Sequence, residues 1–282
     1  YHMRFEDRFS PDPEGIAAAM DERTRFLVLI SPNNPTGRVY RKEEILSAAE
    51  VCRDRGITVI CDEVFSEYLH GESARTGLGP PRPAQLLPGM RVITFNGVSK
   101  LLALPDLKLG WMLVTGPEEG GAATAGGGGG KSVAGTGRRG EVAGRRELID
   151  RLELANDMFL NAGGPAQHVT ATLLPERERY LSTAREHLAA ARTTLLSAVR
   201  EIPGLEALPP EGGIHAVLRL PAGLSATDEE FAVSLVREFG VHLHPGYLYG
   251  MDDDRSLVVS LLPGERVLQQ GLQALRRLLR RL

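Results

Sequence analysis

Ile57-Thr58-Val59-Ile60-Cys61 runs directly into Asp62-Glu63, and Arg91-Val92-Ile93-Thr94-Phe95 runs into Asn96-Gly97-Val98-Ser99-Lys100. Each is a short apolar run bounded by polar residues, the pattern of a buried strand. Outward from these, Phe26 to Ile30 is a third such run, and it ends in Ser31-Pro32-Asn33-Asn34-Pro35-Thr36-Gly37, which is turn chemistry. Lys42 to Arg55 places Ile45, Leu46, Ala49 and Cys52 on one face, so it reads as an amphipathic helix stopped by Gly56. A strand, a helix and a strand in that order predict a right-handed crossover and a parallel sheet, which Met112 to Thr115 continues. Ligands of open α/β sheets sit at the carboxyl ends of the strands. Here those ends deliver an acid, Asp62, and an amine, Lys100, with Lys108 and Gly110-Trp111 just beyond.

Asn34-Pro35-Thr36-Gly37, then Asp62-Glu63, then Ser99-Lys100 with a cation eight residues on at Lys108, resembles the class I/II aminotransferases of fold type I. These enzymes use pyridoxal 5'-phosphate. The resemblance covers nearly the whole chain. The motifs are specific together and in this order, and weak singly. They imply an α/β fold with a mostly parallel sheet flanked by helices, a large cofactor-binding domain over 1–178, and a smaller α+β domain over 179–282. Family members carry a segment ahead of the position of Tyr1, with a glycine-rich phosphate loop and an aromatic residue that stacks on the cofactor. The large domain is therefore expected to be incomplete at its N-terminus. A homodimer is implied in the same way, since such sites are built at a subunit interface.

The cofactor needs a lysine for a Schiff base, an acid at the pyridine nitrogen, a donor to the ring oxygen and a phosphate cradle. By resemblance, Lys100 is the Schiff-base lysine and Asp62 the acid. A carboxylate there keeps the ring nitrogen protonated, so the ring can accept electrons. Asn34 donates to the ring oxygen and touches the substrate carboxylate, and Ser99 and Lys108 hold the phosphate. A plain surface lysine is the commonest fate of that residue type, but a strand end after Gly-Val-Ser sets Lys100 apart. The bland readings are a loop cap for Asp62 and a turn residue for Asn34.

Two positions depart from the family pattern. Phe65 stands where a tyrosine usually donates to the ring oxygen, and it cannot donate. Most relatives also place an arginine in the last strand to grip the substrate carboxylate. Here that position falls near Val258, and Arg255 lies close by but outside the strand. His244 and Tyr247, in a segment that borders the pocket of relatives, join Asn34 and Arg255 as substrate-binding candidates. His168 and His215 read as structural. Without an arginine fork in the strand, aspartate and glutamate are expected to bind weakly, and a donor with an apolar or aromatic side chain is favoured.

The implied reaction is transfer of an amino group between an amino acid and a 2-keto acid. A lyase or decarboxylase on the same scaffold shares these cofactor motifs, and a non-catalytic cofactor-binding remnant is the reading from another class. The remaining sequence predicts a helix over 11–20, helices over 146–159, 166–174 and 176–202, a strand over 214–218, a helix over 228–239, strands over 241–244 and 257–262, and a closing helix over 265–282. Gly116 to Gly144, with five consecutive glycines at 126–130, reads as a low-complexity insertion. Ala125 to Ser132 nearly spells a phosphate-binding loop, but Ala125 replaces its first glycine and no strand leads into it.

Composition bounds the rest. With 42% hydrophobic and 24% charged residues, the chain reads as a soluble globular protein. A formal net charge of −3 argues against a nucleic-acid partner gripped by a broad basic surface. No apolar run is long enough for a membrane span. Cys52 and Cys61 read as free thiols, which fits a reducing, cytoplasmic compartment. No His/Cys cluster has metal-ligand spacing.

Overall fold

The structure, a computed structural model, describes residues 1–77, 79–118, 144–159 and 161–282. Strands β1 (Phe26–Ile30), β2 (Thr58–Asp62) and β3 (Val92–Gly97) are parallel, and β4 (Gly110–Thr115) runs antiparallel to β3, giving the order β1-β2-β3-β4. The register aligns Ile30 with Asp62 and Asp62 with Phe95. The three polar strand ends therefore lie side by side along one edge. Helices α1 (Pro13–Ala19) and α2 (Lys42–Arg53) belong to this part of the chain. Ile45, Ala48, Ala49 and Cys52 of α2 pack with Leu27, Leu29, Val59, Cys61 and Val92 from one face of the sheet. Each fully buried valine, leucine or isoleucine among them contributes about 1.5–3 kcal/mol. The expected end of α2 at Arg55 falls back to Arg53, ahead of Gly56 in the left-handed region at φ 62. Two short helices, α3 (Gly71–Arg75) and α4 (Pro83–Leu86), lie between β2 and β3, and α5 (Val98–Leu101) follows β3 directly.

Helices α6 (Arg145–Asp157), α7 (Gly164–Leu173) and α8 (Arg177–Arg200) lead to a second sheet. It comprises β5 (Glu206–Ala207), β6 (His215–Arg219), β7 (His244–Pro245) and β8 (Ser256–Ser260), all antiparallel, in the order β5-β6-β8-β7. Helix α9 (Asp228–Phe239) lies between β6 and β7, and α10 (Glu265–Leu279) closes the chain. Ala216, Leu218, Leu257 and Val259 face a core built from Leu188 and Leu195 of α8, Phe231 of α9 and Leu275 of α10. Val217 and Val258, on the opposite face, pack with Phe5 and Phe9 from the start of the chain. The expected strand over 241–244 is displaced to His244–Pro245. Gly240 caps α9 in the left-handed region, and the Val241 amide still donates to the Leu235 carbonyl, so the backbone is bound to the helix end there. Residues 119–143, which hold the glycine run and Ala125 to Ser132, lie outside the described residues.

The loop ahead of β6 locks onto the turn after β1. The Glu211 and Gly212 amides donate to the Gly37 carbonyl at 2.8 and 3.0 Å, and the Gly213 amide donates to Tyr68. Glu211 also pairs with Arg38 at 2.8 Å and Arg41 at 2.6 Å. A Cβ at Gly212 would stand 2.7 Å from the Pro32 ring and 2.9 Å from the Tyr68 carbonyl oxygen, so the approach needs glycine. Phe65, Tyr68 and Leu101 complete the seam, buried in the same core as α8 and the second sheet.

Candidate active site

Asp62 ends β2, and its Oδ1 accepts the Val64 amide at 3.0 Å, which turns the chain away from the sheet. Phe65 follows, 3% exposed, with its ring edge-on to Tyr68 at 6.1 Å. Lys100 lies in α5, just past the end of β3, with Nζ 5.6 Å from the centre of the Phe65 ring. The Tyr68 hydroxyl donates to the Lys100 carbonyl oxygen and fixes the helix turn that carries the amine. Among the described residues, neither Lys100 nor Asp62 has an ion-pair partner within 4.0 Å, including each other. An amine and a carboxylate at adjacent strand ends, both without a charged partner, leave room for a group that engages one with each end.

The neighbouring Glu63 is the contrasting case. It is buried, and burial pushes its carboxyl above the ordinary value, although Arg82 pairs with it. Cys61, one strand residue before Asp62, is a buried free thiol raised by burial and therefore unreactive.

The turn after β1 divides the work between its asparagines. Asn33 Oδ1 accepts the Thr36 hydroxyl at 2.8 Å and holds the turn, while the Ser31 amide ties it to the Asp62 carbonyl at 3.1 Å. Asn34 is exposed, so its amide is open to a ligand. Ser99 is half-buried beside Lys100. Lys108 is exposed and held in the left-handed region at φ 48, a conformation uncommon for a residue with a side chain. A cavity of about 810 Å³ opens beside Lys100, lined among others by Ser99, Tyr68, Leu188, Ile214 and Leu262. Its wall is mostly apolar.

The substrate-binding candidates from the second half separate. His244 is half-buried, and its Nδ1 meets the Tyr249 hydroxyl at 2.8 Å. Tyr247 is 48% exposed and its hydroxyl reaches Glu229 on α9 at 3.5 Å. Arg255 precedes β8 at the end away from Ser260, and its guanidinium donates to the Leu220 carbonyl, at 3.1 Å from Nε. Val258 is 2% exposed and filled around by Phe5 and Phe9.

Sequence reasoning left Tyr68 out and read His215 as structural. Tyr68 lies six positions past Asp62 in a loop with no periodicity, and only the fold brings its hydroxyl to Lys100. His215 begins β6, and its ring lies within electrostatic reach of His244 and Lys100; its basicity is lowered by burial first, then by those two groups. Its Nδ1 is buried without a hydrogen-bond partner among the described residues.

The chain is similar to several known proteins. The glutamate-pyruvate aminotransferase AlaA of Escherichia coli K12 is 27% identical over 260 residues, covering 92% of this chain and 51% of the relative. The alanine aminotransferase of Mycobacterium bovis is 27% identical over 262 residues, covering 92% and 49%. The chain thus spans about half the length of these relatives. In three dimensions it superposes on alanine aminotransferase from Pyrococcus furiosus with a TM-score of 0.81 at 23% identity, over 100% of this chain and 64% of the other, which establishes the shared fold. The family profile for aminotransferase class I and II matches residues 1–274, and the chain belongs to that family.

Proposed function

We propose that this chain supplies the lysine, acid and substrate wall of a pyridoxal 5'-phosphate-dependent aminotransferase that moves an amino group between an amino acid and a 2-keto acid. One observation carries the reading: Lys100 and Asp62 stand at adjacent strand ends with no ion-pair partner among the described residues. Bound there, the cofactor would act as an electron sink for the substrate's α-carbon. Asp62 would hold the proton on the ring nitrogen through its free oxygen, Asn34 would donate to the ring oxygen, and Ser99 and Lys108 would hold the phosphate. Phe65, which has no donor, packs under the amine, so it shields Lys100 from water and leaves the ring oxygen to Asn34. Lys100 Nζ would take the proton from the substrate α-carbon once the substrate amine has released it. Residues 1–178 would form the cofactor half and 179–282 the smaller half, paired with a second copy as a homodimer.

The cavity wall of Leu188, Ile214 and Leu262 suits a small apolar side chain, and the relatives named for alanine and for glutamate and pyruvate support an alanine-like donor. The test is borohydride reduction of the cofactor-loaded protein followed by mass spectrometry. A stable adduct on the peptide containing Lys100, absent in Lys100→Ala, is expected. An adduct that persists in the variant defeats the assignment. Product analysis then separates the readings: alanine with a keto acid yields a new amino acid by transfer, and serine, which carries a β-hydroxyl leaving group, releases ammonia by elimination.

A further inference from the structure

An amino-acid substrate brings a carboxylate, and that group needs N–H donors near Lys100. Arginine does not supply them from the last strand: Val258 is apolar and buried, and Arg255 donates to Leu220. The cavity beside Lys100 holds a cation from another element. Helix α8 forms one of its walls, where Arg179, Thr183 and His187 recur at intervals of four residues. That spacing puts the three on one stripe of the helix, about 12 Å long at the rise of an α-helix. His187 stands at one end of the stripe, and its Nε2 donates to the Leu262 carbonyl at 3.0 Å. In the neutral ring Nδ1 is then an acceptor, which offers an anion no donor. Arg179, exposed, stands at the other end.

The charge of the lining favours an anion. Lys100 and Arg179 are its fixed cations, and among the described residues it contains no acid. Glu178, next to Arg179 in sequence, is turned to Arg185 at 2.6 Å. Arg185 also donates to the Glu67 carbonyl at 2.7 Å and pairs with its carboxylate at 2.8 Å, which ties α8 to the loop that carries Tyr68. Arg179 itself has no ion-pair partner, and its guanidinium makes no hydrogen bond, among the described residues. An exposed arginine is ordinarily a solvated one. This one borders a walled cavity whose other fixed charge is also positive, with the hydroxyl residues Ser99 and Thr183 alongside. A cleft lined by one sign of charge concentrates the opposite sign. Asp62 and Asn34 do not line this cavity, so its volume lies beyond the groups assigned to the cofactor ring.

We infer that Arg179 binds the α-carboxylate of a monocarboxylic amino acid, in place of the arginine fork absent from β8. The inference rests on Lys100 being the cofactor lysine. A guanidinium presents paired N–H donors that match the two oxygens of a carboxylate. Once Lys100 is joined to the cofactor, Arg179 is the fixed cation that remains in the described lining. It serves one carboxylate, and a second would find no partner there. The substrate side chain is left with Leu188, Ile214 and Leu262, which suit an apolar group. Because Arg179 projects from an exposed helix surface, the contact is screened by salt.

The experiment is a ligand-observed NMR titration of the cofactor-loaded protein at low salt. The probes are propionate, an unreactive carboxylate with a small apolar chain, and propionamide, its uncharged counterpart. Wild type is expected to bind propionate about ten-fold more tightly than propionamide, the scale of one charge-assisted hydrogen bond. Arg179→Gln is expected to erase that preference and Arg179→Lys to restore part of it. Arg177→Gln removes the same charge two residues away and outside the cavity lining, and is expected to keep the preference. An unchanged preference in Arg179→Gln, or an equal loss in Arg177→Gln, overturns the assignment. So does a loss of cofactor affinity in Arg179→Gln with the preference kept, which would place the cofactor phosphate at Arg179. Succinate binding to wild type more than about ten-fold tighter than propionate would give Arg179 to a distal carboxylate and overturn the monocarboxylic class. Loading is read separately as the borohydride adduct on Lys100. A wild-type chain that shows the Arg179-dependent preference and forms no adduct defeats the reading of Lys100 alone.

Discussion

At the residue scale, Lys100 and Asp62 stand out because neither has an ion-pair partner among the described residues. Asp62 Oδ1 is engaged by the Val64 amide, so the remaining oxygen is oriented before any ligand arrives. Asp62→Asn preserves this geometry and removes the charge. Turnover is expected to fall by about two orders of magnitude or more, the range seen when one preorganised electrostatic contact is lost, while cofactor loading falls much less. Parallel measurement of cofactor affinity by absorbance titration and of rate by product formation checks this. Equal losses would make Asp62 a structural residue. Lys100 is prepared by its own neighbours, with Phe65 beneath the amine and Tyr68 holding the backbone carbonyl.

At the element scale, the active-site edge is held by a loop that carries no chemistry. Residues 209–213 clamp the turn after β1 to the start of β6 through Gly37, Tyr68 and the Arg38–Glu211–Arg41 network. Gly212 is a tight point, because the Cβ of any other residue meets the Tyr68 carbonyl at 2.9 Å, and backbone does not yield as a flexible side chain does. Gly212→Ala is expected to cost about 1–3 kcal/mol, as overpacking does. It should also weaken cofactor binding, since Asn34 and Tyr68 move with the loop. Denaturant unfolding and cofactor titration measure both. A variant with unchanged stability would show that the loop is loosely held. The strands were legible in the sequence because each is a short apolar run with a polar end. This loop was not, because its contacts join residues more than a hundred positions apart and leave no local pattern.

At the scale of the whole molecule, burial of histidine couples stability to pH. His70 is 3% exposed, its Nε2 donates to the Gly213 carbonyl at 2.7 Å, and burial is the chief reason its basicity is lowered. An unfolded histidine takes up a proton near pH 6.5, whereas folded His70 does so only at lower pH. The unfolded state therefore binds more protons below that value. Stability is full above about pH 6.5 and is lost as pH falls from there toward the folded value. Each ten-fold difference in proton affinity corresponds to about 1.4 kcal/mol. Thermal unfolding is expected to show a lower Tm at pH 5.5 than at pH 7.5, with a smaller difference in His70→Gln. A variant that keeps the full pH dependence would assign the effect to His215 or to other groups.

The sequence by itself determined the α/β class, the three parallel strands and the order of the motifs at their ends. Those features are local: side-chain alternation, apolar run length and turn residues act within a few positions, and a buried strand must end where its polar residues begin. It also marked Lys100, Asp62 and Asn34, because a strand end in an open sheet is where a ligand binds. Only the tertiary structure decided what surrounds them. It brought Tyr68 to the Lys100 backbone, engaged Arg255 with Leu220 and filled the space around Val258 with Phe5 and Phe9. Each of these joins residues tens to hundreds of positions apart in the chain. That packing is fixed by the summed burial of many side chains and by one glycine loop, and no short stretch of sequence encodes it.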